Sequence, residues 1–512
     1  MNAIQRAESN RLVEQQRLDQ LKTAQERNRW GQFATPPALS LDMARYAWDR
    51  LRRRKGTFSF LDPAIGTGSF YAAFLQTFPQ DRIDFATGVE LDKLFGAAAN
   101  ALWKELGLHL IQADFTRLKR ERQYNVILTN PPYVRHHHLD TAGKERLGNL
   151  ARETTGIKLS GLAGLYCYFL LIAHAWLADD GLAAWLIPSE FMDVNYGDEV
   201  KRYLTESVTL LQVHRFCPSD VQFDDALVSS AIVVFEKHKP QAAHETAFSF
   251  GGTLTKPSKT QKVPLDQLRA TRKWTSLPQQ GSNGQKPNTV KLGDLFTIKR
   301  GLATGDNSFF IVPKDKLNEL GIPASCVRPI LPSPRFLQQE VVDSTADGWP
   351  LLDRQLALID CNMGEAEIRA QWPRFADYLD EGKRRGVPSG YLASRRAPWY
   401  SQEKREPASL VCTYMGRNRE RPFRFIWNRS RATAANVYLL LYPKETIAGT
   451  LPEKMQAVFE ALRAIHPDHF FSEGRVYGGG LYKMEPAELM QLPADRIAEI
   501  LDIHPEQQRT LF

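Results

Sequence analysis

Seven short apolar runs alternate with helical stretches from Phe58 onward: 58–61, 85–89, 108–111, 124–128, 182–187, 210–216 and 228–235. Strands separated by helices pair in parallel, because a parallel return needs a crossover of a dozen or more residues, and parallel strands are buried on both faces. The pattern predicts an α/β, doubly wound, mainly parallel Rossmann-like sheet. A chain of 512 residues exceeds one ordinary core, so further domains are expected. Residues 1–29 are polar, with Leu12, Leu18 and Leu21 at rough helical spacing, which predicts a helical arm that packs weakly. From 241 to 289 the composition shifts to Gly, Ser, Thr, Lys and Pro, as in a linker. Past Val290 the alternation is lost, and a mixed α+β domain is expected over 290–512.

The first four runs each end on chemistry. Asp62 closes the first and leads into Ala64, Gly66, Gly68 and a helical stretch, a turn where glycines let a ligand approach a helix N-terminus. Glu90 closes the second, 22 positions after Gly68, within reach of ribose hydroxyls. Asp114 and Phe115 follow the third; the carboxylate can accept from an adenine amino group and the ring can cover it. Asn130-Pro131-Pro132-Tyr133 follows the fourth. Two consecutive prolines continue neither helix nor ladder, so a stiff, exposed turn is expected to carry one amide and one aromatic ring.

This ordered series resembles the class I S-adenosylmethionine-dependent methyltransferases, specifically the gamma-type adenine-N6 DNA methyltransferases of bacterial restriction-modification systems. The resemblance spans about residues 30–236. It includes Gly31-Gln32-Phe33-Ala34-Thr35-Pro36-Pro37, the stretch from Gly164 to Met192, and Phe223 to Phe235. It implies an S-adenosyl-L-methionine-binding catalytic domain over 30–240 and a C-terminal DNA target-recognition domain over 290–512. Asp62, Ala64, Gly66 and Gly68 would surround the cofactor, Glu90 would hold its ribose, and Asp114 with Phe115 its adenine. Phe33 and Thr35 would lie near the methionine part, with Phe70 and Asn130 as further neighbours. Asn130, Pro131, Pro132 and Tyr133 would carry catalysis. Oxygens of Asn130 and Pro131 would draw the amino hydrogens of a flipped base out of plane, while Tyr133 stacks on the ring. Asn rather than Ser at 130 favours adenine over cytosine. Phe223 would face the base from the other side, and Arg135 would reach a phosphate.

Formal net charge is +8, and thirteen Lys or Arg between Lys383 and Arg431 face only Glu403, Glu406 and Glu420. Tyr391, Trp399, Tyr400, Tyr414, Phe423, Phe425 and Trp427 are interleaved, which reads as a nucleic-acid surface, with Arg417 and Arg419 as candidate contacts to double-stranded DNA. Val290 to Asn307 and Gly478 to Pro486 are similar to the opening and closing stretches of target-recognition domains. The five cysteines show no CxxC pair and read as free thiols in a reducing bacterial cytoplasm. No run of about 18 apolar residues predicts a membrane span. His136, His137 and His138 are adjacent, and successive side chains point different ways, so no metal is expected. A monomer is favoured, and any nuclease is expected on a separate restriction endonuclease. Protein-glutamine methylation and a non-catalytic DNA-binding scaffold remain open alternatives, and the sequence does not spell out the DNA site recognised.

Overall fold

The computed structural model describes residues 2–217, 229–279, 290–477 and 480–503. The chain divides into two compact units on either side of residue 283. In the first, nine strands form one sheet: β1 (Phe58–Asp62), β2 (Ile83–Glu90), β3 (Leu108–Gln112), β4 (Tyr124–Thr129), β5 (Leu177–Pro188), β6 (Thr209–Arg215), β7 (Ser230–Glu236), β8 (Glu245–Gly252) and β9 (Pro257–Pro264). Their order is β3-β2-β1-β4-β5-β7-β6-β8-β9. Strands β1 to β5 pair in parallel, and β7 enters antiparallel between β5 and β6.

Alternation sorts the side chains into two layers. Leu61, Ile127, Ala183, Trp185 and Val233 pack on one face with Leu147 and Ala151 of α6 (Thr141–Thr155) and Leu170 of α7 (Leu165–Ala173). Phe60, Val126, Leu128, Leu186 and Ile232 pack on the other with Met43 of α3 (Pro37–Leu51) and Phe74 of α4 (Ser69–Thr77). The central strands β1, β4 and β7 are thus buried on both faces, which is why their runs are continuously apolar.

The stretch assigned to a linker contains β8, β9 and a short helix, Leu265–Ala270. Strand β9 is at the sheet edge, and of its eight residues only Val263 is buried. An edge strand rich in Lys, Thr and Pro is polar for the same reason a loop is: most of its side chains meet water. Gly281 to Gly284 lie outside the described residues.

The leading helix, α1 (Ala3–Gln20), is capped by Asn2 and Gln5 in a reciprocal capping box. It does not dock by a leucine stripe. Leu12 and Leu21 are exposed, and only Leu18 is buried, against Phe95 and Ala98. Its other buried residue is Arg11, whose role belongs to the site below.

The second unit holds a five-stranded sheet in the order Phe296–Arg300, Tyr438–Pro443, Leu410–Thr413, Phe425–Asn428, Val341–Val342. A three-stranded sheet pairs Ile311–Pro313 and Val327–Ile330 with Leu356–Ile359. Helices Pro373–Arg384 and Leu451–Arg463 complete a mixed α+β unit. Pairing of Val327 with Ile359 brings Cys326 beside Cys361, and the two are joined as a disulfide with a Cα–Cα distance of 4.4 Å. Five free thiols were expected; among the described residues Cys167 and Cys412 are free, buried thiols. The 35-residue separation hides a juxtaposition made by strand pairing. Among the described residues no helix is long and apolar enough to cross a membrane.

The aromatics between 383 and 431 are mostly core. Tyr400, Tyr414, Phe423 and Phe425 are buried, and Tyr391 stands out at 73% exposure. Phe425 belongs to a strand inside the five-stranded sheet, with paired strands on both sides, so a nearby basic residue says little about where its own ring points. Four of the seven rings that read as part of a nucleic-acid surface are therefore core.

Candidate active site

The carboxyl ends of β1, β2, β3 and β4 lie side by side, and the chain reverses its direction of travel across the sheet between β1 and β4. Doubly wound sheets open a ligand crevice at such a switch point. Asp62, Glu90, Asp114 and Asn130, separated by up to 68 positions in sequence, are the residues this topology delivers there.

Asp62 is buried and accepts hydrogen bonds from the Thr129 hydroxyl at 2.7 Å and the Ala64 N–H at 3.1 Å. Burial pushes its carboxyl up to about 7; the two hydrogen bonds pull it down, and the charge of Glu90 adds to the rise. Glu90 receives the Gly66 N–H on one oxygen and the Asp92 N–H on the other, both at 2.8 Å, and burial raises its carboxyl despite these donors. Glu90 therefore fixes the glycine turn as well as standing at a strand end.

Gly66 (φ +56°) and Gly68 (φ +95°) occupy the left-handed region, which a side chain would strain. A Cβ on Gly68 would lie 2.3 Å from the Trp103 indole nitrogen, which donates to the Thr67 carbonyl at 2.8 Å. A Cβ on Gly66 would meet nothing within 4 Å, so the turn borders open space on that side. Above the same turn, Arg11 of α1 donates to the Thr67 hydroxyl at 3.2 Å while forking onto Glu8 at 2.6 and 2.7 Å. Thr67 in turn donates to Gln15 at 2.7 Å. The leading arm is thus pinned to the glycine turn by polar side chains, and an arginine in a polar helix gives no sequence signal of that.

Asp114 caps the turn after β3, accepting from the Thr116 N–H at 2.9 Å and hydroxyl at 2.7 Å. Its other oxygen lies 3.3 Å from Arg117 and 3.8 Å from Arg146. Phe115 is 2% exposed and packs at 5.4 Å from Phe169 and 5.2 Å from Trp176. Its ring belongs to the core cluster on the α6 and α7 face of the sheet. Phe70 is likewise core.

The turn after β4 is held under the segment 31–35. The Tyr133 N–H donates to the Gly31 carbonyl at 3.2 Å. Gly31 has φ +63°, and a Cβ there would stand 2.3 Å from the Tyr133 nitrogen, so only glycine permits this approach. Asn130 donates through Nδ2 to the Phe33 carbonyl at 3.1 Å and to the Thr35 hydroxyl at 3.2 Å. A carbonyl can only accept, which fixes the end of the amide that faces it. The other end, Asn130 Oδ1, is buried and among the described residues accepts no hydrogen bond. Thr35 is tied to the start of α4, since Ser69 donates to its carbonyl at 3.0 Å.

Tyr133 is 7% exposed, so the turn is covered rather than exposed as expected. Its hydroxyl donates to the Leu186 carbonyl at 3.0 Å, and its ring lies 5.5 Å from Phe33 and 6.4 Å from Tyr166. Burial holds its phenol well above the ordinary range. Arg135 is exposed beside the turn, and Arg417 and Arg419 are exposed in a loop of the second unit. Phe223 lies outside the described residues. Gly31, Thr129, Trp103 and Arg11 had no role assigned from sequence and turn out to brace the site.

Two family profiles match the chain: "Eco57I restriction-modification methylase" over residues 86–223 and "Type II methyltransferase M.Eco57I, C-terminal domain" over 282–510. The chain is 27% identical over 456 residues to Type II methyltransferase M.XamI of Xanthomonas campestris pv. amaranthicola, covering 87% of this chain and 81% of that one. It is 25% identical over 488 residues to Type II methyltransferase M.AccI of Acinetobacter calcoaceticus, covering 90% and 85%. Among solved structures, the Type IIL restriction-modification enzyme MmeI, determined in complex with DNA, aligns over 92% of this chain and 69% of its own with a TM-score of 0.57 and 13% identity. At that identity the likeness concerns the fold.

Proposed function

We infer that this chain is a DNA methyltransferase of the restriction-modification type, and that the atom it methylates is the exocyclic N6 amine of an adenine turned out of the duplex. The observation that carries the inference is Asn130 Oδ1, a buried amide oxygen that accepts no hydrogen bond among the described residues and whose own amino end is clamped. Leaving such an acceptor unpaired costs about 1–3 kcal/mol. A planar amino group brought to it recovers that cost.

An adenine amine is a poor nucleophile because its lone pair is conjugated into the ring. Asn130 Oδ1 and the Pro131 carbonyl would accept its two hydrogens, localise the lone pair and stabilise the positive charge that develops during attack. S-adenosyl-L-methionine, when bound, supplies the electrophilic methyl group. The residues present fit such a cofactor: the open side of Gly66, the acidic ends of β2 and β3 at Glu90 and Asp114, and Phe33 and Thr35 beside Asn130. Phe33 and Thr35 hold the catalytic amide through their oxygens, so cofactor and acceptor positions are set by one segment. Tyr133 would present a ring edge or face fixed by its hydroxyl bond to Leu186. Rotating the base out costs a few kcal/mol, and the basic second unit would help meet that cost through phosphate contacts.

The burial of Asp62 makes cofactor binding pH-dependent. With its carboxyl raised to about 7, Asp62 is protonated in the free protein below that pH and ionises as pH rises through it. A cation in the crevice favours the ionised carboxylate. Affinity for the cationic cofactor should therefore rise as pH increases from 5.5 to 7, by at most about tenfold per unit, and level off above 8. Calorimetry in two buffers of different ionisation enthalpy checks it through proton release at pH 6.5. An affinity flat from 5.5 to 8 would contradict the assignment.

Incubation with radiolabelled S-adenosyl-L-methionine and either unmethylated duplex DNA or a bacterial lysate tests the substrate. Label in DNA adenine is the expected result; label confined to protein glutamine overturns it. Charge reversal at Arg417 and Arg419 should reduce the salt slope of duplex binding by about two phosphate equivalents, with unchanged cofactor affinity. Retained duplex affinity and slope at low salt would remove these residues from the DNA surface. We place the protein in the bacterial cytoplasm with its DNA substrate, and any cognate cleavage on a separate polypeptide.

A further inference from the structure

One exposed aromatic in the second unit has a built setting. Phe336 is 59% exposed, and a large apolar ring left in water on a braced turn asks for a partner. The turn closes by hydrogen bonds from the Phe336 and Leu337 N–H groups to the Ser333 carbonyl at 2.9 and 3.1 Å. Leu337 is its buried anchor. Arg424, directly before the strand Phe425–Asn428, donates to the carbonyls of Pro334 at 2.9 Å, Leu337 at 2.8 Å and Gln338 at 3.3 Å. Just before the turn, the Pro332 carbonyl receives the buried Tyr438 hydroxyl at 2.7 Å. The ring is therefore presented by a rigid support.

Charge defines the partner. The Arg354 guanidinium lies 5.1 Å from the Phe336 ring and that of Arg335 lies 5.7 Å away. Neither forms an ion pair among the described residues. Nearby Glu340 is shared by Arg421 and Arg463, and Asp343 pairs with Arg429. Asp353, beside Arg354 in sequence, is exposed and pairs with neither arginine. An apolar ring beside two guanidinium groups that form no ion pair among the described residues matches a stack of bases bordered by phosphates.

We propose that the 333–337 turn is a wedge that inserts Phe336 between base pairs of the recognised duplex, with Arg335 and Arg354 on the adjoining phosphates. The proposal rests on the DNA-methyltransferase reading and deepens it. Partial unstacking at the wedge kinks the duplex by 20–90°, and a kinked duplex gives up a base to the catalytic pocket at lower cost.

The test uses the full chain and an end-labelled duplex carrying the site that the wild-type protein is found to methylate. Wild-type protein should shorten the end-to-end distance measured by energy transfer. Phe336→Ala should leave the bound duplex straight and lower kcat/KM for DNA by about 10- to 100-fold, with cofactor affinity and melting temperature unchanged. Arg335→Gln with Arg354→Gln should lower the salt slope of duplex binding by about two phosphate equivalents. If wild-type protein methylates no DNA, the parent reading fails. If it does, and Phe336→Ala bends and methylates the duplex as wild type does, or the arginine pair leaves the salt slope unchanged, the wedge alone is overturned.

Discussion

Asn130→Ala should lower kcat by on the order of 10³-fold or more while leaving duplex affinity and cofactor affinity within about threefold of wild type. Removing one preorganised partner of developing charge costs about 10²–10³ in other enzymes, and here the same side chain also orients the acceptor. Among the described residues the amide makes only two hydrogen bonds, both through Nδ2 to the 33–35 segment, so its loss removes roughly 1 kcal/mol per bond from the fold at most. Asn130→Asp is the sharper variant. It keeps an oxygen where Oδ1 stands but replaces the donor facing the Phe33 carbonyl with an acceptor, so the side chain must turn away. Its activity should fall comparably. Single-turnover methyl transfer with saturating cofactor separates the cases: a variant with normal transfer and weakened cofactor binding would make Asn130 a cofactor ligand only.

Gly31→Ala should cost roughly 1–3 kcal/mol of stability and on the order of 10² in activity. The methyl group would sit 2.3 Å from the Tyr133 nitrogen and 2.7 Å from its carbonyl carbon, on a backbone with φ +63°. Either the 31–35 segment or the turn after β4 must move. Both consequences reach the chemistry, because Phe33 and Thr35 hold Asn130 and the Gly31 carbonyl receives the Tyr133 N–H. A displacement near 1 Å at a reacting group is enough for such a loss. Gly148→Ala is the matched control. That glycine lies inside α6, where a Cβ meets nothing within 4 Å, and the change should be neutral or stabilising by up to about 1 kcal/mol. Thermal unfolding and turnover on one preparation check both. Near wild-type activity in Gly31→Ala would show that the segment does not position the amide.

The first unit's central strands, β1, β4 and β7, were legible because they are buried on two faces, which forces a continuous apolar run. Where that condition fails, legibility fails. Strand β9 borders water and reads as linker, and Phe425 sits in a basic stretch yet belongs to the core. The site shows the same division. Asp62, Glu90, Asp114 and Asn130 could be picked out because each follows an apolar run, at the one place in a parallel sheet where ligands bind. Phe115 could not be oriented, since a ring one residue past an acid can face ligand or core, and the packing of Phe169 and Trp176 decides it.

Local chemistry along the chain determined the alternation of elements, the stiffness of the Asn130–Tyr133 turn and the acids at the strand ends, since these follow from burial and backbone freedom at neighbouring positions. Only the tertiary structure decided that Asn130 turns its amino end to Phe33 and Thr35 and leaves its oxygen unpaired among the described residues, that Arg11 clamps Thr67, and that Cys326 meets Cys361. These contacts join residues 35 to 97 positions apart. The free energy of such a contact depends on which surfaces the sheet brings together, and nothing in the composition of either segment encodes that.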